Sequence, residues 1–515
     1  MKFTGYPSNN IMKPENPLKI SIYLISVCLS GCTGGLLATV GPDYSTAILN
    51  APSHWSETSK VDSSFTTSPH QGNPENLKKW WQDFHDPILN QLLSAAQEVN
   101  TSVMDAKARI AQSRATLVGA EGALLPTLDF SGGGKRSSAS FGGNPFVWNQ
   151  LPAGLQSSWE IDLFGGLARQ EEAAQSQLES RQAAWHDARV SVAAEVANAY
   201  MDYRYCELQV KTRQKDTASK MESARLSEIA AQAGLKAISD IELLKASVAE
   251  GNHLLFQQQS QCKKAIQGLV AMTGLPEEKI TLLLIGNPTQ IAQLPSPPTF
   301  SIDAIPANVL LQRPDIASAE RDVAEASAKI GVEQAKRFPK LSLSGNITPT
   351  LQNINGAAFF LAETWSFGPT LSLPLFDAGK RAADVELARV QYEAAENKFR
   401  SKVRTAVKEV EEALIRLNSV SQRLPEAQKS FAYFQRHFDA MQNLYQAGLG
   451  NLMDVETSRR SLLSADMTIK ELEKERVSAW IALYRSAGGS WSNDNPQFET
   501  TKPPSLHVDE NRENL

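Results

Sequence analysis

Cysteine, histidine and carboxylate side chains do most covalent, metal and acid–base chemistry in proteins, and in this chain they are sparsely placed. The four cysteines are Cys28, Cys32, Cys206 and Cys262, and the seven histidines are scattered along linkers and helices. No H-E-x-x-H, G-x-S-x-G, P-loop, paired C-x-x-C or dinucleotide fingerprint occurs, so neither a hydrolytic centre nor a nucleotide site is expected. Cys206 and Cys262 alone cannot supply a four-thiolate zinc site, and no metal or other cofactor is expected. The acidic residues that recur by position are Asp240 and Asp454. They lie in "QAGLKAISDIELL", from Gln232, and "QAGLGNLMDVETS", from Gln446, which match at Gln, Ala, Gly, Leu, Asp and Glu over a period of about 214 residues. That period is far beyond the 20–50 residues of a solenoid, so half of the chain is built twice.

The N-terminus offers the other reactive position. Lys13 and Lys19 precede the apolar run "ISIYLISVCLSGC", which has the length of a secretory signal and ends in Leu29, Ser30, Gly31 and Cys32. This resembles the bacterial lipobox, which implies a covalent lipid on Cys32. Thr33, where an Asp would signal inner-membrane retention, implies passage to the outer membrane. The competing reading is an anchor continuing through "TGGLLATVG", although its glycines dilute the apolar run that a bilayer span needs. With Cys28 removed and Cys32 acylated, Cys206 and Cys262 remain. Helices packed 8–10 Å apart usually hold such a pair too far apart for a disulfide, so buried separate thiols are expected ahead of a bond. The formal charge is −5, from 51 basic and 56 acidic residues, with no basic stripe, so nucleic acid is not an expected partner.

The elements that position the doubled motif are mostly helical. Apolar residues from Pro87 recur at helical spacing as far as Leu125, where Pro126 stops the pattern. From Gly166 to Ala233 there is no proline and almost no glycine. A helix over that stretch is about 100 Å long. Gly234 suits the left-handed position at its end, Ser239 can cap the helix that returns to about Met272, and the motif becomes a hairpin tip. The helix ending at Leu125 is expected to stack beyond the end of the returning one. In the second half "RPDIASAERDVAEASAKIGVEQAKRF" is the short helix, the residues after Asp377 make the long one, Gly448 marks the tip, and the return ends near Ala487. Pro425 should bend the second long helix.

Each half also carries two strands. "PTLDFSGGG" and "SSWEIDLF" flank the connecting segment "SFGGNPFVWNQLPAG", and "PKLSLSGNITP" and "GPTLSLPLF" flank the loop "LQNINGAAFFLAETWS". Leu341, Leu343, Leu371, Leu373 and Leu375 alternate with Ser342, Ser344, Thr370 and Ser372, while Glu160 and Asp162 extend the polar set. The pattern fits a barrel wall with lipid outside and water inside, and it fits one face of a soluble sandwich as well. Four strands cannot close a barrel, and open edges cannot sit in lipid, so a membrane reading requires several copies.

The chain resembles the TolC-type outer-membrane efflux proteins, and within them the lipoprotein branch of OprM- and NodT-like channels. The resemblance rests on "VGPDY", "WWQDFHDPILNQLL", "SWEIDLFGGLAR", "LLQRPDIASAE", "PLFDAGKR" and the tip motif in both halves, and it covers nearly the whole mature chain. It implies a homotrimer with a twelve-stranded barrel in outer-membrane lipid above a periplasmic α-helical tunnel. It also implies a passive exit duct for drugs or other small molecules, opened by a periplasmic adaptor (a membrane fusion protein) and driven by an inner-membrane resistance-nodulation-division transporter. By the resemblance, Tyr445 matches the gate tyrosine, Asp454 an acidic residue of the constriction, and Ser239 and Asp240 their polar partners. Asp240 and Asp454 equally suit simple helix capping. Two positions depart from the family: Gly450 stands where a latch arginine is found, and Thr457 where a second acid is found.

The expected organisation is therefore a signal peptide at 1–31, a lipidated linker at 32–76, a first repeat at 77–274, an equatorial connector at 275–311, a second repeat at 312–489 and a tail at 490–515. The fold class is mainly α with a membrane β part. A duct for protein secretion, or a coiled-coil lipoprotein without a pore, would share many of these features. The second does not account for strand pairs placed alike in both halves.

Overall fold

The computed structural model describes residues 39–46, 49, 51–56, 80–235, 237–285, 293–300 and 306–489. The expected leader, Cys32 and the tail lie outside them. Asp86 opens the first helix: its carboxylate accepts the amides of Ile88 (3.0 Å) and Leu89 (3.2 Å), and Pro87 takes the first position, where a missing N–H costs nothing. Helices α1 (Pro87–Val99) and α2 (Thr101–Ala123) replace the single helix expected to Leu125, with the break at Asn100. There the Asn100 side-chain amide donates to the Met272 carbonyl (3.5 Å), which sets the break against the end of the helix returning from the first tip.

The two long helices are α3 (Gly166–Gln232) and α8 (Lys380–Gln446), of 67 residues each, and their returns are α4 (Ile238–Thr273) and α9 (Leu452–Ser486). α8 runs on through Pro425 without interruption. The connector carries two short helices, α5 (Glu277–Ile285) and α6 (Pro306–Leu311), where little regular structure is expected from its prolines. α7 (Pro314–Ala335) is the short helix of the second half.

By contact density the chain forms two units. One comprises Thr116–Gln175 and Ala324–Tyr392 with residues 39–44, and the other Ser45–Ala115, Ser176–Val323 and the residues from Glu393. The first unit holds the sheet. Strands β1 (Thr127–Gly132) and β2 (Lys135–Phe141) pair with the long β3 (Asn144–Ile161). On its other side β3 pairs with β4 (Lys340–Ile347) and β5 (Thr350–Ile354), which pair in turn with β7 (Trp365–Ser372) and β6 (Phe360–Ala362), all antiparallel. The register carries straight through each short break, so these segments form four long strands. Both segments expected as loops are therefore largely strand. Gly142 and Gly143, at positive φ, turn β2 into β3. At its helical end this unit is tied by Arg169, which reaches the Val40 carbonyl (3.2 Å), Asp43 (2.6 Å) and Glu172 (2.6 Å).

The second unit has a core of α1, α3, α4, α5 and α9 side chains, including Leu89, Leu92, Tyr200, Met201, Leu269 and Ile481, all buried. Trp80 stacks on Tyr484 with ring centroids 4.6 Å apart. Trp55 fills a second cluster with Val309, Val410, Leu414 and Leu483.

Candidate functional site

Both hairpin tips fold alike. Gly234 and Gly448 adopt φ of 76° and 72°, a region costly for other residues. Leu235 N–H donates to the Ala230 carbonyl (2.9 Å) and Leu449 N–H to that of Leu444 (2.9 Å), so both helices close with the same Schellman pattern. The capping roles differ from expectation. Ser239 lies inside the first turn of α4, whose N-cap is Ala237 with no side-chain cap, while α9 is capped by Asn451, which accepts from Met453 N–H at 3.0 Å. Asp240 and Asp454 are exposed acids in the first turns, placed to favour the positive helix ends without capping them. Tyr445 is half-buried in the last turn of α8. At Gly450 a Cβ would fall 2.9 Å from the Tyr445 nitrogen and 3.1 Å from the Leu444 carbonyl carbon, so this tip geometry excludes a side chain there.

Farther from the tips, α3 and α9 meet through buried charges. Arg459 donates to Asp216 and Glu456, and Lys220 lies 3.0 Å from Asp216, with all four side chains at least nine-tenths buried. A second network surrounds Arg313, which donates to Asp315 (2.9 Å), Glu409 (2.7 Å) and the Ser486 carbonyl (2.9 Å). It lines a cavity of about 70 Å³ with Asp187, Lys402 and Arg485. Burial, and then the charge of Asp315, raise the Asp187 carboxyl above its ordinary range, against the pull of Lys402, Arg313 and Arg485. Local spacing reports only parts of each network, the pairs Asp216–Lys220, Glu456–Arg459 and Arg313–Asp315, while the links Arg459–Asp216 and Arg313–Glu409 join residues far apart in sequence.

Cys206 and Cys262 form a disulfide, contrary to the expectation of separate thiols. The Cα atoms are 5.5 Å apart; a spacing of about 8–10 Å separates helix axes, and facing Cα atoms, each about 2.3 Å off its axis, come within disulfide reach.

The sheet faces are sharply distinct. Ile161, Leu341 and Leu371 align across three strands, as do Trp159, Leu343 and Pro369, while Ile347 aligns with Leu155 and Trp365. The other face carries Glu160, Ser342 and Thr370, then Ser158, Ser344 and Gly368. Glu160 lies 3.2 Å from Lys340. Asp162 falls one residue past β3 and accepts the Ala168 amide (2.8 Å), so it serves the start of α3 and is not a strand residue. Leu373 and Leu375 lie beyond β7 and are exposed. Leu128, Phe130, Trp365, Phe367 and Leu371 stand 66–77% exposed on one sheet face, which a single chain does not cover. No described helix is long and apolar enough to cross a membrane, and no cluster of metal-ligating side chains occurs among the described residues.

The chain thus combines an open four-stranded sheet, apolar on one face and polar on the other, with duplicated long helical hairpins. The family model described as outer membrane efflux protein matches residues 92–275 and 305–489, one match per repeat, and the chain belongs to that family. Nodulation protein T of Rhizobium leguminosarum bv. trifolii is 28% identical over 481 residues, covering 91% of this chain and 96% of its own. The solvent efflux pump outer membrane protein SrpC of Pseudomonas putida is 27% identical over 421 residues, covering 81% and 88%. The solved outer-membrane channel OprN superposes with a TM-score of 0.77 at 26% identity, over 88% of this chain and 99% of that one. The chain is thus an outer-membrane efflux channel component, of a family of ducts and not of enzymes.

Proposed function

We propose that three copies of this chain form the passive exit duct of a tripartite efflux pump. Twelve strands close a barrel in the outer membrane, and the helical hairpins continue it into the periplasm. The observation that carries this reading is the two-faced open sheet. The apolar face of β3 runs from Leu151 to Ile161, a height of about 25 Å at roughly 3.3 Å per residue and a tilt near 40°, which matches the lipid band of outer-membrane barrels. The strands at both sheet edges lack a further neighbour among the described residues, and lipid does not tolerate such edges, so adjacent copies supply the pairing.

A signal peptide at 1–31 directs export and is removed, and lipid on Cys32 anchors the mature chain. The buried disulfide supports maturation in an oxidising compartment, as export to the periplasm provides. Tyr445, Asp454, Asp240 and Ser239 form the periplasmic entrance. A membrane fusion protein engages the tips, and an inner-membrane resistance-nodulation-division transporter supplies the energy. With Gly450 sterically closed to a side chain, the resting tips are held by packing and hydrogen bonds and not by an arginine latch at that position. Reconstitution of purified protein in a planar bilayer tests the duct: discrete single-channel currents are expected, and a bilayer left silent by folded, lipidated protein would rule it out.

A further inference from the structure

The polar face of the sheet does not stay polar. Toward the β2–β3 and β5–β6 turns it carries Phe146 and Trp148, whose rings lie 5.3 Å apart, and Trp148 stands opposite Ile354. Phe360, opposite Gln352, completes the patch, and Ile354 and Phe360 are 42% and 47% exposed. At the same level the other face inverts: Asn149 hydrogen-bonds Asn353 through their amides (2.8 Å) and faces Arg136 across the strand pair.

This double inversion limits what can cover the patch. A face bearing Asn149, Asn353 and Arg136 lies above the hydrocarbon, so lipid does not reach this level, and the patch is on the opposite side in any case. A neighbouring copy pairs through sheet edges, not through this face. Twelve strands about 4.8 Å apart, tilted about 40°, set facing walls roughly 24 Å apart, too far for two aromatic side chains to meet across the axis. Apolar rings in a water-filled bore are then left to whatever passes through it.

We propose that Phe146, Trp148, Ile354 and Phe360 form an apolar collar at the distal mouth of the duct, which makes transient contact with outgoing cargo of aromatic or apolar chemistry. The proposal rests on the reading of the sheet as a barrel wall. Stacking and edge contacts with several rings favour flat or aromatic molecules over small hydrated ions, which pass without binding.

The test uses the full mature protein in a planar bilayer, with tetraphenylphosphonium and tetraethylammonium as probes of equal charge added from the distal side. Tetraphenylphosphonium should produce resolved blocking events. In the double variant Trp148→Ser, Phe360→Ser its blocking affinity should fall at least tenfold, while open conductance and the response to tetraethylammonium stay unchanged. Ile354→Trp should lengthen the dwell time, which keeps the test decisive if the double variant does not fold. Absence of block in the parent channel, equal block in parent and variants, or a severalfold rise in probe-free conductance in the double variant would overturn the collar. A parent protein that makes no channel at all would instead remove the duct reading on which the collar depends.

Discussion

At the scale of single residues, the side chains that organise the molecule do so by hydrogen bonding and charge. Asp86 caps α1 and also takes the Tyr200 hydroxyl (2.9 Å) and Arg204 (2.6 Å), joining a helix start to the core. Asp377 plays the same part for α8, accepting the amides of Gly379 (3.0 Å) and Arg381 (3.2 Å). Arg313 joins Asp315, Glu409 and the Ser486 carbonyl. Its replacement by Ala leaves Asp315 and Glu409 without their shared counter-charge, and a loss of about 3–5 kcal/mol is expected from denaturant unfolding of the solubilised protein. His186 sets a pH dependence. Burial, and then the charge of Arg189, lower its imidazole to about 4 from the ordinary value of 6.5. The unfolded chain therefore takes up a proton that the folded chain refuses, so the contribution through His186 is full above about 6.5 and is lost as pH falls toward about 4. Melting temperatures across that range should decline less steeply in His186→Gln. At the tips, Asp454→Ala should lower the cation selectivity of the reconstituted channel; unchanged reversal potentials in a salt gradient would show that the acid does not face the ion path. Asp240 and Asp454 could be located from sequence because the repeat marks their position twice. The Arg313 and Arg459 networks could not be assembled from sequence, since the links that join them, Arg313 to Glu409 and Arg459 to Asp216, cross between elements far apart in sequence, where no spacing rule applies.

At the scale of elements, periodicity and punctuation placed the long helices closely: Gly166 and Gln232 bound α3, and Gly234 and Gly448 end both rods. Strand extent was less legible. β2 carries three serines and no β-branched residue, and β5 and β6 span only five and three residues, too short to read alone; continuous register with their neighbours extends them as strand. The Cys206–Cys262 bond was hidden for a different reason: the spacing between helix axes overstates how far apart facing Cα atoms lie. It closes a loop containing the whole first tip, and the second hairpin has no cysteine. Cys206→Ser with Cys262→Ser is expected to cost about 2–5 kcal/mol, visible as a lower melting temperature of the helical signal that reductant no longer changes.

At the scale of the whole molecule, a single chain is incomplete. One chain supplies an apolar sheet face with Phe367 and Trp365 more than 70% exposed, and edges with no further strand among the described residues. Such a surface is stable only when lipid covers the face and further copies cover the edges. A twelve-stranded wall needs three chains of four strands. Native mass spectrometry of the mature protein released from detergent micelles tests this most directly: the account predicts a dominant species of three chains, and a compact single chain that stays soluble without detergent would contradict it.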